Sequence, residues 1–483
     1  MVSELKENIG LAAKAGARQL FLRYGIGFLI NIAGTIVIAR KGGPELWGIF
    51  AVSQVVLTVF ALLSHGCWGY LIQSETVPDR KTIGNCYSFQ SFLSIAWSLL
   101  ILVFSPVLAN RLSSQDLFPL LASTVLGGFF YGWRYVTCGL SERNLQYSVA
   151  SVAELSDILT FNGIAVVLAL AGHPYQGIVA GNLFRGVIST FVALRKAAEP
   201  LYFSFDKEIM IKIGKFSFPY TSFIALQWLP IYGGSVVAGL FLGFRDLGLL
   251  QLAYKTVEYP RVLVTIAFRL SMSVFSRTDK TVSELQNSLK KILDILYFML
   301  VPAMGLIVAL SPRWVPVVYG GTWTAMSDVM VIIMFPHLAM AMMMILSSLM
   351  SAHGGAQKPF FFYGVYNILY WPVLIVLTRS AGFFGLPVTE WVALAACMVL
   401  IRQLSEAGIA TNMVFGYLTV LLAAAGLTTL LWLIALHRSL TETISAAIIM
   451  SVLWFIASPA RREIVGWVKK QYALVAKRTA ASK

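Results

Sequence analysis

The chain is 483 residues long, 58% hydrophobic and 12% charged, with 37 lysines and arginines against 22 aspartates and glutamates for a net charge of +15. A soluble domain carries about a quarter charged residues, so this composition excludes a soluble globular protein and points to a chain embedded in lipid. The positive balance does not indicate a nucleic-acid partner, because the basic residues stand at the ends of apolar runs and not in one solvated patch.

Apolar runs long enough to span a bilayer are predicted at residues 19–40, 46–73, 84–110, 117–141, 147–171 and 174–196, then at 213–243, 246–276, 284–311, 324–352, 357–378 and 382–404, with a last pair at 409–436 and 441–459. The fold class expected is therefore all-α: a polytopic membrane protein of about 14 transmembrane helices. The start, MVSELKENIGLAAKAGARQL, is charged throughout and lacks a short apolar core before a cleavage site. No cleaved leader is expected. With the first residues placed in the cytoplasm, every second loop is cytoplasmic and holds the denser basic residues, among them Arg80, Lys81, Arg143, Arg195 and Lys196. The opposite side receives roughly one per loop, so both termini are read as cytoplasmic. The basic tail, with Ile464, Trp467, Val468, Tyr472 and Val475 as an apolar side, is read as an amphipathic anchor on anionic lipid.

Two similar stretches recur about 200 residues apart. GGPELWGIFAVSQ from Gly42 matches LGFRDLGLLQLAYK from Leu242, setting Gly48 against Gly248, and LVFSPVLANRL from Leu102 matches VALSPRWVPVVYGG from Val308. This predicts two six-helix halves of the parallel-repeat type, a transporter build with its site where the halves meet. The expected division is an N-lobe over 1–197, a linker over 198–212, a C-lobe over 213–406, a helix pair over 407–460 and a tail over 461–483.

Charges inside the apolar runs are the candidate functional residues. In DLGLLQLAYKTVEYPRVLVTIAFRLSMSVFSR, from Asp246 to Arg277, the side chains of Lys255, Glu258, Arg261 and Arg269 fall within roughly a third of the circumference of a continuous helix, with Arg261 near mid-bilayer. An isolated cation at that depth costs at least about 3 kcal/mol, so such a set needs a partner or a wet cavity. The plain alternative is an ion pair that locks helix packing. The first half carries Arg134, Glu154, Asp157 and Arg185. Asp157 and Arg185 both fall near mid-membrane and are expected to face one another. Arg185 would meet an anionic substrate while the acids bind a coupling ion, or the pair only fixes packing. Arg23 and Arg134 are placed nearer the cytoplasmic interface, where snorkelling is favoured over ligation.

His65, His337, Asp294, Asp328 and Glu390 read as isolated polar residues, and the histidines as packing residues. Cys67, Cys86, Cys138 and Cys397 form no CxxC pair, and neither HExxH nor GxxxxGK[ST] occurs. No disulfide framework, metal centre or intrinsic ATPase is expected. Trp47, Trp68, Tyr70, Tyr131, Trp133, Trp314, Tyr319, Trp323 and Trp371 stand near helix ends and are read mainly as an interfacial belt. Kinks are expected at Pro219, Pro230, Pro260, Pro302 and Pro336.

ARKGGPELWGIFAV (Ala39 to Val52), LAYKTVEYPRVLVTIAFRLSMSVFSR (Leu252 to Arg277) and WVPVVYGGTWTAM (Trp314 to Met326) resemble, in order, motifs of the Wzx-type polysaccharide flippases of the multidrug/oligosaccharidyl-lipid/polysaccharide (MOP) exporter superfamily. Trp47, Gln251 and the Met272 to Val274 stretch depart from the usual pattern, which bears on the subgroup. The resemblance implies two lobes around a central cavity and a non-enzymatic flippase in the bacterial inner membrane. It would move an undecaprenyl-diphosphate-linked oligosaccharide from the cytoplasmic to the outer leaflet by alternating access. Lys255, Arg261, Arg269, Arg185, Arg134 and Arg23 would then hold the diphosphate. Glu258, Asp157 and Glu154 would tune them or carry H+ or Na+; no cofactor is expected. Membrane lipids are the other partners, with a polysaccharide polymerase and glycosyltransferases as candidates. A multidrug exporter or a lipid II flippase of the same superfamily, and a membrane glycan polymerase or ligase, are the rival readings.

Overall fold

The computed structural model describes residues 2–74, 76–111, 114–144, 146–197, 199–265, 267–268, 281–354, 357–406, 408–409 and 411–437, with scattered positions from 439 to 454; side chains are described from Gly25 onward except at 351–359. Every regular element among them is helical, and nine helices are long and apolar enough to cross a membrane. Exposed apolar side chains such as Phe218, Ile368, Val103 and Val167 fit a lipid surround and not water. The chain is a multi-pass, all-α membrane protein. Arg269 and the amphipathic tail lie outside the described residues, as does the side chain of Arg23.

Contacts divide the chain into two compact units, Met1–Gln251 and Leu252–Lys483. In the first, α1 (Val2–Gln73) bends at Gly43, whose φ of 73° suits a residue without a Cβ, immediately before Pro44. It is followed by α2 (Arg80–Arg111), α3 (Leu117–Phe129), α4 (Tyr131–Arg143), α5 (Tyr147–Leu170) and α6 (Pro174–Lys196). Gly172 at φ 91° turns the chain between α5 and α6, where Gly172-His173-Pro174 predicts a boundary.

Two kinds of contact hold these helices together. Small residues let backbones meet: a Cβ on Gly186 would stand 1.9 Å from the Gly127 carbonyl oxygen, so α3 and α6 pack main chain to main chain. Buried amides then tie several helices at once. Asn182 Nδ2 donates to Ser53 Oγ at 3.2 Å and Thr124 Oγ1 at 3.0 Å, while Asn162 donates to Asn31 Oδ1 at 3.2 Å.

The helix α7 (Lys207–Trp228) continues through a π-helical turn at Leu229–Gly233, where Pro230 sits, into α8 (Gly234–Phe241), and α9 (Phe244–Val257) follows. The sequence reading assigns α7 and α8 to the C-lobe; here α7 packs on α1, with Gly66 and Gly69 against Ser217 and Tyr220. The repeated glycines meet in the same unit. A Cβ on Gly48 would stand 1.9 Å from the Phe244 carbonyl oxygen, and one on Gly248 1.8 Å from that of Pro44.

The second unit contains α10 (Val282–Ala309), α11 (Ser311–Val318), α12 (Met326–Gly354), α13 (Gln357–Ala381), α14 (Gly385–Thr389), α15 (Val392–Glu406) and α16 (Thr411–His437). Its core is centred on α12, where Met330, Ile333, Leu338, Met342 and Ile345 are fully buried. Tyr417 joins α16 to α10, its hydroxyl donating to Asp294 Oδ1, and Tyr297 joins α10 to α12, its hydroxyl donating to the Leu338 carbonyl at 2.9 Å. Part of the expected aromatic belt is in fact core: Trp47, Tyr131, Tyr319 and Trp323 are 0–4% exposed. Standing near a helix end did not decide which way those rings face.

Candidate functional site

In the first unit, three helices converge on one carboxylate. Tyr131 and Arg134 lie three residues apart on α4 and so share a face, Asp157 projects from mid-α5, and Arg185 and Ser189 lie one turn apart on α6. Asp157 Oδ2 accepts from Arg185 Nη2 at 2.5 Å and Nε at 3.2 Å. Its Oδ1 accepts from the Tyr131 hydroxyl and stands 3.1 Å from Arg134 Nη1. Arg134 also donates to Ser189 Oγ at 3.0 Å and lies over the Tyr131 ring, 3.9 Å from its centroid. The Arg185 guanidinium lies over Phe161, which stacks on Phe50. Arg134 and Asp157 are 7% and 6% exposed.

The facing of Asp157 and Arg185 was foreseen from their depths; the place of Arg134 was not. It does not snorkel to the interface but turns inward, where Asp157 pairs its charge and Ser189 accepts one of its N–H groups, as a buried guanidinium requires. Glu154, one turn before Asp157, is half-buried. The cluster holds two guanidinium groups and one carboxylate, a surplus of one positive charge.

In the second unit the cationic helix is broken. The backbone from Glu258 to Pro260 is a turn, with the Arg261 amide donating to the Glu258 carbonyl at 2.8 Å and that of Leu263 to Pro260 at 3.0 Å. The single rod expected over 246–276 is thus corrected. Pro260 has no N–H to give, and its ring clashes with the carbonyl four residues back, so regular helix stops before it. Arg261 Nη1 pairs with Glu258 Oε1 across this turn at 2.6 Å, and its side chain stays 41% accessible, that of Glu258 32%. Arg261 Nη2 also reaches Met344 Sδ at 4.0 Å. Lys255 is half-buried one turn earlier on α9.

The sequence reading missed that several lone polar residues are paired. Glu390, in the turn between α14 and α15, accepts from the hydroxyls of Tyr254 and Tyr370 at 3.5 and 3.4 Å. His337 packs its ring against Tyr254 at 5.6 Å, and His65 sits among Trp68, Tyr135 and Trp228. The histidines thus take the packing role expected of them, whereas the partners of Glu390 stand 136 and 20 residues away and no local pattern announces them.

Outside the spans, Asp206 caps α7 by accepting from the amides of Glu208 and Ile209 at 3.0 and 3.1 Å, and pairs with Lys81 at 2.5 Å. The hydrogen bond from Lys81 holds the Asp206 carboxyl below the usual carboxylate range. At the same end of the unit, Arg143 donates to the carbonyls of Leu71 and Ser74 at 2.8 Å and of Thr76 at 3.0 Å, closing the C-terminus of α1.

Comparison with known proteins agrees with this architecture. The lipopolysaccharide biosynthesis protein WzxC of Escherichia coli strain K12 is 21% identical over 387 residues, 79% of this chain and 77% of that protein. The teichuronic acid biosynthesis protein TuaB of Bacillus subtilis strain 168 is 22% identical over 323 residues, 65% of this chain and 66% of its own length. Among solved structures, the lipid II flippase MurJ in an inward closed conformation superposes with a TM-score of 0.72 at 14% identity, covering 93% of this chain and 99% of that one. At that identity the likeness speaks for the fold. The family described as polysaccharide biosynthesis protein matches residues 37–328, well over half the chain, and the protein belongs to that family, as its flippase-like motifs and helical architecture had indicated.

Proposed function

We propose that the protein is a flippase that carries a polyprenyl-diphosphate-linked oligosaccharide from the cytoplasmic to the outer leaflet of a bacterial inner membrane, by alternating access, for surface polysaccharide biosynthesis. Both termini would be cytoplasmic, and the glycosyltransferases and polymerase of the pathway would act before and after it. A diphosphate carries about two negative charges, which cannot cross roughly 30 Å of hydrocarbon unaided. Cationic side chains at bilayer depth lower that barrier, while a polyprenyl tail stays in lipid.

The observation that carries the reading is Arg261, a guanidinium just past the break in an apolar segment, which keeps two-fifths of its side chain accessible while paired with Glu258. Lys255 and Arg269 are the further candidate contacts for the diphosphate in the second unit, and Arg185, Arg134 and Arg23 those in the first. Arg185 and Arg134 are engaged with Asp157, so contact with phosphate requires an exchange of partners: the diphosphate takes the guanidinium donors that Asp157 holds in the empty state. Glu258, Asp157 and Glu154 then assist release, since an acid beside each cation competes with the bound phosphate. Replacing both Lys255 and Arg261 by alanine should abolish surface polysaccharide while the protein reaches the membrane at its normal level. Full surface display by that double variant would reject the assignment.

A further inference from the structure

Of the acids in the spans, Asp157 and Glu258 are held by guanidinium groups at 2.5 and 2.6 Å, so neither can take a proton without leaving an arginine unpaired. Glu390 is placed differently. Among the described residues it forms no ion pair; what faces it is neutral hydroxyl, Tyr254 from α9 and Tyr370 from α13, with Tyr366 beside Tyr370. Glu258 adds a like charge from the end of α9, and His337 of α12 touches the same Tyr254. A carboxylate in this setting is balanced between two forms: desolvation and the neighbouring acid favour the neutral one, and the hydroxyl donors favour the charged one.

We propose that Glu390 is the site where this chain takes up and releases a proton, and that Tyr254 passes its state to the cationic segment. The proposal deepens the flippase reading and rests on it for its link to transport. Tyr254 precedes Glu258 by one helical turn, and Glu258 holds Arg261 across the break at Pro260. When Glu390 is charged it draws the Tyr254 hydroxyl; when it is protonated that pull weakens, and α9 is free to turn at the break that positions Arg261. A proton suits the site better than a sodium ion. A carboxylate takes a proton on one oxygen with no further ligand, whereas sodium needs several oxygens drawn in close, and the two hydroxyls that face Glu390 stand at 3.5 and 3.4 Å.

Two measurements test this. Infrared difference titration of the purified full-length protein should show a carboxylic-acid carbonyl band that titrates reversibly, is lost in Glu390→Gln, and in Tyr370→Phe survives to higher pH because one donor to the charged form is gone. In proteoliposomes containing a polyprenyl-diphosphate oligosaccharide, a one-unit pH gradient should sustain a leaflet ratio of about tenfold, the free energy of one proton. Glu390→Gln should equilibrate the lipid but hold no ratio. If Glu390→Gln does not fold, Glu390→Asp and Tyr370→Phe carry the test, and a band unmoved in both overturns the proposal. A ratio sustained by sodium and not by pH also overturns it. Wild-type protein that moves no lipid would sink the flippase reading, while the infrared band still decides whether Glu390 binds a proton.

Discussion

The buried cluster around Asp157 separates two ways of reckoning an ion site. Counted by contacts, Arg185 is its main holder: three of its donor contacts reach Asp157, against one close approach from Arg134. Counted by charge, Asp157 is the member that cannot be lost. Asp157→Asn keeps the shape and one acceptor oxygen but leaves two guanidinium groups facing one another in a site where Arg134 is 7% exposed. Breaking a buried pair in this way costs about 3–5 kcal/mol. Arg185→Gln leaves Asp157 and Arg134 as a matched pair at 3.1 Å, and the loss is that of charge-assisted hydrogen bonds, about 1.5–3 kcal/mol. With roughly 2–4 °C per kcal/mol for a unit of this size, Asp157→Asn should lower the unfolding midpoint by on the order of 10 °C and Arg185→Gln by about half that. The assay is thermal unfolding of detergent-solubilised protein, with membrane level as a second readout. If Arg185→Gln proves as damaging as Asp157→Asn, the charge argument is wrong and the cluster is held by its hydrogen bonds.

The half-exposed pair in the second unit should behave in the opposite sense: Glu258→Gln loses an interaction worth at most about 1 kcal/mol to folding, yet should slow translocation by tightening phosphate on Arg261, so normal turnover would speak against a release role. Gly248→Ala puts a Cβ 1.8 Å from the Pro44 carbonyl oxygen and should cost about 1–3 kcal/mol by forcing α9 off α1. Gly243→Ala, with open space around it, is the control, and equal midpoints for the two would refute the contact. Because the Asp206 carboxyl is held below its ordinary range, its contribution to the α7 cap is full above that range and lost as pH falls below it, through the lowered folded-state value. Hydrogen-exchange protection of the Glu208 and Ile209 amides should therefore drop on acidification in wild type and stay level in Asp206→Asn, which caps without titrating.

How far the sequence carried these conclusions depends on the range of the interaction in question. Helix positions were readable because their signals are local. The turn at Gly172-His173-Pro174 and the interruption at Gly43-Pro44, between the runs predicted at 19–40 and 46–73, follow from backbone chemistry within a few residues, whereas Pro260, read only as a kink in one rod, ends the regular helix. The family motifs were readable for the same reason. The pairing of charges was half-readable. Depth placed Asp157 opposite Arg185, but depth alone also placed Arg134 near the interface, since it says nothing of a carboxylate 23 residues further along the chain.

Burial exposes the rest of the difficulty. Charge residues along an apolar sequence look equivalent, yet Arg134 is fully engaged in a closed cluster while Arg261 keeps an accessible face. The same uncertainty hid Glu390, which reads as a stray acid at a helix end until Tyr254 and Tyr370, 136 and 20 residues away, are seen to converge on it. A charge that spans a membrane in company is therefore defined by which partners it must abandon to act. On that criterion Asp157 and its two arginines must surrender a closed set of hydrogen bonds to meet an anion, Arg261 must surrender its half-exposed Glu258, and Glu390 need surrender no counter-ion among the described residues, which orders the three by how readily each can change state during a transport cycle.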